Sequence, residues 1–516
     1  MRGAQEETES RSRRGEAYEA GVRNRVGGRR RGGLLSRRSV GLGVFFILFT
    51  GVYFYLATHL VHGINQNRLA SDQQHNINLA ETAIQRAAAG PAEGEAVTEA
   101  LWSYFPHYTD GVVNPLWPWI ASRFANEDHE VFFVRGKWFN VIASAVFCLL
   151  LGLWAACRFS ALATMNLVLL AGFGALLKRS VFFQPEPVYY MFFFLAWAGC
   201  LLVMRKNSVW VYAAVGITSG LAYITKGSVQ PLLLVFLFVS TIRWVEIVIF
   251  RRKLAREGAQ GGAWFSPNHF IGLAFFAVAF LAVSGPRLHY AQEKFGNPFH
   301  SYPAYWMWMD SFADGVVFMQ ENPDRAALEA LADSEIPSAG NYLKTHSPEE
   351  ARRRLLSGSA ETIEDFIFPG RTVQKHSAEH KPWTRVLPSR GLYLGALAGI
   401  LVYAWIAAGF AGVRAGDNRE GGSDGLAAFF VLGAATLYVL SYGWYSAIGH
   451  GDRFMLSLLL PLVFSLIRGS EDLMRRVPAR GGARLLHLFY GGFHFALFGA
   501  IVYRLFVLVE NPVFRA

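Results

Sequence analysis

Long apolar runs with almost no charge constrain this chain more than any other feature of its sequence. They alternate with short charged blocks from about residue 39 to residue 508. Runs of about 18 or more apolar residues are long enough to cross the hydrocarbon core of a bilayer as helices. The chain is 53% hydrophobic and only 17% charged, whereas soluble domains carry roughly a quarter of charged residues. The sequence therefore predicts an all-α polytopic membrane protein.

Length and hydropathy predict about 11 transmembrane helices. They cover residues 39–61, 138–158, 161–177, 187–204, 209–225, 229–250, 268–285, 391–413, 425–446, 453–468 and 484–508. With the N-terminus in the cytoplasm, most connections on the inner side are basic, as the positive-inside rule requires. Residues 62–137 and 286–390 then form two long extracytoplasmic loops, and residues 509–516 form a short outer tail.

Residues 1–38 carry much of the net charge of +11. Their Gly/Arg-rich composition predicts a disordered cytoplasmic tail that orients the first helix, and no nucleic-acid partner is expected. The transmembrane domain predicted over 39–508 begins with a span that is too long for the apolar region of a signal peptide and lacks a clear cleavage site, so we expect an uncleaved signal anchor.

The cysteines do not predict a metal site. Cys148, Cys157 and Cys200 all lie inside apolar runs, which implies neither a disulfide framework nor a metal cluster. We therefore expect no tightly bound metal.

Both long loops are rich in aromatic residues. The first contains "LWSYFPHYTDGVVNPLWPWI", and the second begins "PRLHYAQEKFGNPFHSYPAYWMWMDSF". The second also contains "SPEEARRRLL", in which Ser347 and Glu350 have the spacing of a capping box. Trp and Tyr at this density favour short interfacial helices lying along the bilayer surface. Stacking of these rings on sugars is the alternative.

Four charged residues stand where predicted spans meet the outer face, and each has a purely structural explanation. Asp72 has the position of a helix N-cap. Glu186 lies between two prolines at a helix start, where an acid complements the helix dipole. Lys226 is explained as a side chain that reaches along apolar surface to water. Asp452 would neutralise Arg453.

Together, the four charges predict a functional site. Two carboxylates and two cations come from four separate segments at one predicted membrane level, and ionisable groups at the membrane edge mark functional sites. A carboxylate can remove the proton of an attacking hydroxyl. The cations can stabilise the charge that develops on a departing phosphate.

The order of several motifs resembles that of the GT-C glycosyltransferases, specifically family 39 with its protein-mannosyltransferase and aminoarabinose-transferase-like members. The stretches that carry the resemblance are "SDQQHNINLAETA", "NPLWPWIA", "QPEPVYYMFFFLAWAG", "GLAYITKG", "YAQEKFGNPF" and "DRFMLSLLLPL". They cover roughly residues 40–465. Each is short, and the match depends on their shared order and common side of the membrane.

The resemblance implies inverting transfer of a sugar from a polyprenyl-phosphate donor to an acceptor hydroxyl. The acceptor is a protein, a lipid or a glycan, and the reaction takes place on the outer face of the cytoplasmic membrane, among membrane lipids. Asp72 would be the general base. Glu186 would position a sugar or bind a loosely held divalent cation, and no cofactor would be tightly bound. The residues that would bind the donor phosphate are Lys226 and Arg453, with Arg287 and His450 as weaker candidates.

The sequence departs from the family pattern around the base. The first acid of the family is normally followed by Glu, whereas Gln73 follows Asp72 here. Three other acids of the first loop, Glu93, Glu95 and Asp110, compete for the same role.

Two other functions are weighed against glycosyl transfer. A transporter or flippase of lipid-linked sugars would need a similar basic vestibule without a base. Many transporters have internal repeats, and ion-coupled carriers place acids at mid-span; this sequence has no clear repeat and few such acids. A non-catalytic scaffold for envelope assembly would explain the loops but not the four charges.

Overall fold

A computed structural model describes most of the chain, namely residues 37–69, 72–89, 105–206, 208–256, 267–368, 390–412, 422–449 and 451–510. Every regular element in these ranges is a helix, and they contain no strand. The chain divides into two units after Ile47. The first contributes only residues 37–47 to the described part, as the start of helix α1, and the second contains everything discussed below. Residues 1–36 of the predicted N-terminal tail lie outside the described part of the chain.

The α-helices, numbered in chain order, are α1 Arg37–His59, α2 Gln73–Ala89, α3 Leu116–Ala121, α4 His129–Ala156, α5 Ala161–Leu169, α6 Leu177–Ser180, α7 Glu186–Arg205, α8 Val209–Thr225, α9 Gln230–Arg256, α10 Pro267–Phe295, α11 Tyr302–Trp306, α12 Phe312–Glu321, α13 Arg325–Ala330, α14 Ala339–Thr345, α15 Pro348–Ile367, α16 Arg390–Phe410, α17 Gly422–Tyr445, α18 Asp452–Met455, α19 Leu459–Arg476 and α20 Ala483–Val509. Two π-helical stretches, Leu60–Ile64 and Leu170–Leu176, extend α1 and join α5 to α6. Three short 3₁₀ turns complete the set, Ser122–Phe124, Gly227–Val229 and Leu456–Leu458.

The helical architecture is that of a polytopic membrane protein. Within the described ranges, ten helices are long and apolar enough to cross a bilayer, and α8 is a shorter apolar helix of 17 residues. Each of the eleven predicted spans overlaps one of these helices. Large apolar side chains are exposed along their surfaces, as expected where lipid replaces water, and examples are Leu150, Trp210, Leu234, Trp405 and Phe410.

Several helices extend further than hydropathy predicts, and α4 and α10 are extended most. Helix α4 begins at His129 rather than near 138, and α10 continues to Phe295 rather than ending near 285. The polar start of α4 is accommodated because Lys137, although buried, donates from Nζ to the carbonyl oxygens of Val61 and Asn65 at 2.9 and 2.7 Å. A buried charge satisfied in this way does not interrupt a helix.

The long loops contain the short helices that the sequence predicts. Helix α2 directly follows Asp72, and α15 begins with the predicted capping box, which is confirmed. Ser347 Oγ accepts from the Glu350 amide at 3.3 Å, while the Glu350 carboxylate accepts from the Ser347 amide at 2.8 Å. The aromatic residues are not all at an interface, however. Trp117 of α3 is fully buried, with its ring centroid 5.4 Å from that of Phe183.

Helix α8 packs closely on α10 because two small residues face that helix. A Cβ atom on Gly216 would lie 2.4 Å from the carbonyl oxygen of Phe276, and one on Gly220 would lie 2.8 Å from Cβ of Val283. Glycines four residues apart allow two membrane helices to approach at backbone distance. The contact fixes the position of α8, which leads directly into Lys226.

Replacing Gly216 with Ala should destabilise the protein, because the added methyl group forces α8 away from α10. Overpacking of this kind costs about 1–3 kcal/mol. Thermal unfolding of the purified protein in detergent measures the effect. Gly399→Ala is the matched control, since a Cβ there meets no atom within 4 Å. Equal midpoints for the two variants would contradict the close packing.

Candidate functional site

The start of helix α2 is fixed by a buried pair of amide side chains. Gln73 Oε1 accepts hydrogen bonds from Asn65 Nδ2 at 2.8 Å and from the Phe183 amide at 3.0 Å. Gln73 Nε2 in turn donates to Asn65 Oδ1 at 3.1 Å. Because Phe183 lies in the turn that leads into α7, these bonds tie the segment carrying Asp72 to the segment carrying Glu186.

Glu186 is buried at the first position of α7. Its residue exposure is only 3%, and the turn before it is held by Asn140, whose Nδ2 donates to the carbonyl oxygens of Phe182 and Gln184 at 3.0 Å each. Glu186 Oε1 accepts from Lys226 Nζ at 3.0 Å. Its second oxygen, Oε2, is buried without a hydrogen-bond partner among the described residues. A buried carboxylate oxygen in this state is an uncommon and costly feature.

Asp72 and Arg453 form the second ion pair of the site. Arg453 Nη1 lies 2.7 Å from Asp72 Oδ2, and the backbone carbonyl of Arg453 accepts from the Tyr190 hydroxyl at 2.7 Å. That hydroxyl belongs to α7, the helix that Glu186 begins, so the start of α18 is anchored to the same helix. The side chain of Asp72 is about half exposed, at 54%.

The two ion pairs form one cluster around the ring of Phe454. Lys226 Nζ lies 5.6 Å and Arg453 Cζ 5.0 Å from the centroid of that ring, and Arg453 also interacts electrostatically with Glu186. We call Asp72, Glu186, Lys226 and Arg453 the charged cluster. Two carboxylates and two cations balance each other in it, with one carboxylate buried and the other open to solvent.

Arg287, a candidate for phosphate binding, is buried in a different set of contacts. Its guanidinium makes four hydrogen bonds with protein groups, to Asn114 Oδ1 at 3.3 Å, Tyr223 OH at 3.0 Å, the Pro298 carbonyl at 2.7 Å and the His300 carbonyl at 2.6 Å. These bonds join the two long loops at the end of α10. In the described structure Arg287 therefore links the loops.

Several residues singled out in the sequence lie outside the described part. His450, Glu93 and Glu95 are in undescribed stretches, and the side chain of Asp452 is undescribed as well. Their roles as a phosphate ligand, as competing bases and as a partner of Arg453 stay predictions. Among the described residues, no group of three or more His, Cys, Asp or Glu side chains is placed to hold a metal ion.

Asp110, the third competing acid, pairs with His75 instead of the cations of the charged cluster. Its Oδ2 lies 2.7 Å from His75 Nε2, and its Oδ1 accepts from the amides of Val112 and Val113 at 2.9 and 2.8 Å. Burial alone would raise the pKa of Asp110, but the hydrogen bonds from His75 and the two amides outweigh it and lower that pKa. The same hydrogen bond raises the pKa of His75 against the effect of burial.

Sequence reasoning missed the residues that hold the cluster in place. Gln73 was noticed only as a departure from a family pattern, and Asn65, Tyr190 and Phe454 were not singled out. Polar and aromatic residues close to Asp72, Glu186 and Arg453 in the sequence are a weak signal for the supporting contacts, because only the folded structure shows which of these residues touch.

Comparison with known proteins assigns no family to this geometry. No protein-family model matches the chain, and no curated protein matches it. What the charged cluster does is therefore inferred from its own residues.

The His75–Asp110 pair predicts a pH dependence of stability. The stability contributed by the charge on His75 is fully present below the usual pKa of 6.5 and is lost as pH rises through the raised pKa of the folded state. The stability contributed by the charge on Asp110 is present above the usual pKa of 3.8 and is lost as pH falls through the lowered pKa of the folded state. Asp110→Asn should therefore lower the free energy of unfolding most between about pH 4 and 6.5, by up to about 1 kcal/mol, because His75 is half exposed and solvent screens the pair.

The measurement is thermal unfolding of wild type and Asp110→Asn from pH 4 to pH 9. The difference between them should shrink as pH rises beyond the usual pKa of histidine. Glu321→Gln, which alters an exposed acid of the second loop, is the control and should show no such trend. A difference that grows with pH would contradict the assignment of a charged His75.

Proposed function

We propose that the protein is an integral membrane glycosyltransferase. It transfers a sugar, with inversion, from a polyprenyl-phosphate donor to an acceptor hydroxyl on the outer face of the cytoplasmic membrane. The charged cluster is its active site, with Asp72 as the general base. The chemical requirements of this reaction are a base beside the acceptor and cations beside the departing phosphate.

Support comes chiefly from the convergence of four charges that are distant in sequence. Asp72 and Arg453 are paired at 2.7 Å, and Glu186 and Lys226 at 3.0 Å. These pairs bring together segments that precede α2, begin α7, follow α8 and begin α18. Because charged groups at the end of apolar helices are costly to maintain, their assembly in one place favours a function over four separate structural roles.

The reaction requires one proton transfer and one exchange of bonds at the anomeric carbon. Asp72 removes the proton of the acceptor hydroxyl, whose oxygen forms a bond to that carbon. The bond from carbon to the phosphate oxygen breaks on the opposite face, and the phosphate leaves with the electron pair. The half-exposed position of Asp72 suits a base that must meet an acceptor arriving from outside the bundle.

Lys226 and Arg453 would bind the phosphate of the donor. Both already lie within 6 Å of the centre of the Phe454 ring, so one phosphate placed beside that ring could meet both charges. A bound phosphate would compete with Asp72 for the guanidinium of Arg453, because two acceptors then face one bidentate donor. Binding of the donor would in this way release the carboxylate for proton transfer.

Glu186 would orient the sugar rather than act as the base. Its Oε1 holds Lys226, while its buried Oε2 has no described partner. A sugar hydroxyl or a loosely bound divalent cation would satisfy that oxygen. A hydroxyl placed there is fixed at a buried point of the cluster, which is how binding groups position a reacting centre.

Asp72→Asn should abolish sugar transfer while leaving donor binding in place, because the amide cannot accept the proton. Loss of a general base costs about 10²–10⁴-fold in rate. Sugar release from a panel of radiolabelled polyprenyl-phosphate sugars, with purified protein in lipid discs, measures it. Asp110→Asn is the matched control and should retain activity. Full activity of Asp72→Asn, or loss only in Asp110→Asn, would overturn the choice of base. Donor binding without turnover by the wild type would favour the flippase.

Lys226→Gln should weaken donor binding by about tenfold or more, because a hydrogen bond to a charged group contributes about 1.5–3 kcal/mol. The single variant also leaves Glu186 buried without its cation, which costs stability. The double variant Lys226→Gln, Glu186→Gln removes that unpaired charge and should recover the unfolding midpoint without recovering donor binding. Lys344→Gln, at an exposed lysine of the second loop, serves as the control. Recovery of binding in the double variant would show that Lys226 acts only on the fold.

A further inference from the structure

A mainly apolar cavity that includes one carboxylate and one guanidinium side chain in its lining lies far from the charged cluster. It has a volume of about 340 Å³ and lies among α5, α19 and α20, with Ser160, Glu471, Arg475 and Tyr490 among its lining residues. Glu471 is 18 residues beyond Arg453 along one apolar span, or about 27 Å at 1.5 Å per helical residue. The cavity therefore lies at the other end of the helices and takes no part in the proposed transfer.

Glu471 is a buried carboxylate that forms no ion pair within the described part of the chain. Its residue exposure is 5%. Oε2 accepts from the Ser160 amide at 3.1 Å, and Oε1 accepts from Ser160 Oγ at 2.5 Å and from the Tyr490 hydroxyl at 3.3 Å. No described Lys, Arg or His forms an ion pair with it. Three neutral hydrogen bonds hold the side chain in place but leave its negative charge uncompensated, and buried charges are ordinarily paired.

Arg475 offers the opposite charge one helical turn away. It lines the same cavity on α19, it is exposed, and within the described part of the chain it makes no ion pair. A Glu and an Arg four residues apart on a helix ordinarily pair with each other. Here Glu471 is turned towards Ser160 at the start of α5, so the two charges stay apart on the wall of one cavity.

We propose that this cavity binds a phosphoethanolamine group, either as the headgroup of a membrane phospholipid or as a free phosphoester. The primary ammonium pairs with Glu471 and the phosphate pairs with Arg475. Residues four apart on a helix are separated by about 6 Å along its axis, and the two charges of this short zwitterion can span a gap of that order. The apolar wall residues Leu162 and Met474 contact its carbon atoms. The volume lies at the lower end of ligand cavities, about 300–1,000 Å³, as suits a small group.

Position in the bundle favours a zwitterionic headgroup over an anionic one. Arg475 is next to the last residue of α19, and α20 begins seven residues after Arg476. The cavity is therefore at the level where apolar helices end and phospholipid headgroups are concentrated. An anionic headgroup without an ammonium would satisfy Arg475 but would face the uncompensated Glu471. A group with both charges can pair with Glu471 and Arg475 at the same time.

Competition between lipids tests the assignment. Purified, delipidated full-length protein is mixed in detergent with phosphatidylethanolamine and phosphatidylglycerol, and the retained lipid is counted by native mass spectrometry. Wild type should retain phosphatidylethanolamine about tenfold better, the factor expected for one charged hydrogen bond. Glu471→Gln should remove this preference, and Arg475→Gln should weaken both lipids. Arg480→Gln, at an exposed arginine outside the cavity lining, is the matched control and should behave as wild type.

A cavity-filling variant guards against loss of folding in Glu471→Gln. Gly491 lines the cavity, and a Cβ added there meets no atom within 4 Å. Gly491→Leu should therefore fill the space, keep the bonds of Glu471 and abolish the preference without lowering the unfolding midpoint. Free phosphoethanolamine, added to the same competition, shows whether the bound group belongs to a lipid or to a soluble molecule. Displacement of the lipid at equal concentration indicates a soluble ligand. Retention of the lipid indicates the headgroup. Equal retention of both lipids by wild type, or a preference that survives in Gly491→Leu, would overturn the proposal.

Discussion

A charge buried at the end of an apolar helix is costly unless an opposite charge pairs with it, and the structure around the charged cluster depends on that constraint. Glu186 is nearly inaccessible to solvent, and Lys226 supplies the cation that makes its burial tolerable. Arg453 and Asp72 repeat the arrangement nearer the surface. Each pair joins segments that are far apart in sequence. Satisfying the charges therefore also determines how the ends of several helices come together.

The scaffold places these charges with uncharged contacts. Two glycines bring α8 close to α10 and so position the residue that follows α8, Lys226. Buried amides of Asn65 and Gln73 fix the segment before Glu186 against the one that carries Asp72. The proposed function would benefit from this division of roles, since reacting groups are held best by supports that do not themselves react.

The sequence was sufficient for the class of fold and for the four residues of the cluster, because both depend on local properties. A run of apolar residues specifies a membrane helix wherever it occurs, and a charge at its end is visible without knowing its partner. The pairing itself was not visible. Asp72 pairs with Arg453, which is 381 residues away in the sequence. Asp110 pairs with His75, which is 35 residues away. The start of α4 and the end of α10 were misplaced for a related reason, since Lys137 and Arg287 are satisfied by backbone carbonyl oxygens outside their own helices.

The shortness of α8 has a consequence for the bilayer itself. Its 17 residues span about 26 Å, less than the roughly 30 Å of a typical hydrocarbon core. Its neighbour α10 is 29 residues long, enough to cross the same thickness with length to spare. If α8 crosses the bilayer as the sequence predicts, lipids beside it compress, or the end that leads to Lys226 lies below the headgroups of the surrounding leaflet. Either response couples the position of Lys226 to membrane thickness, so lipid chain length becomes a variable that acts on the charged cluster from outside the protein.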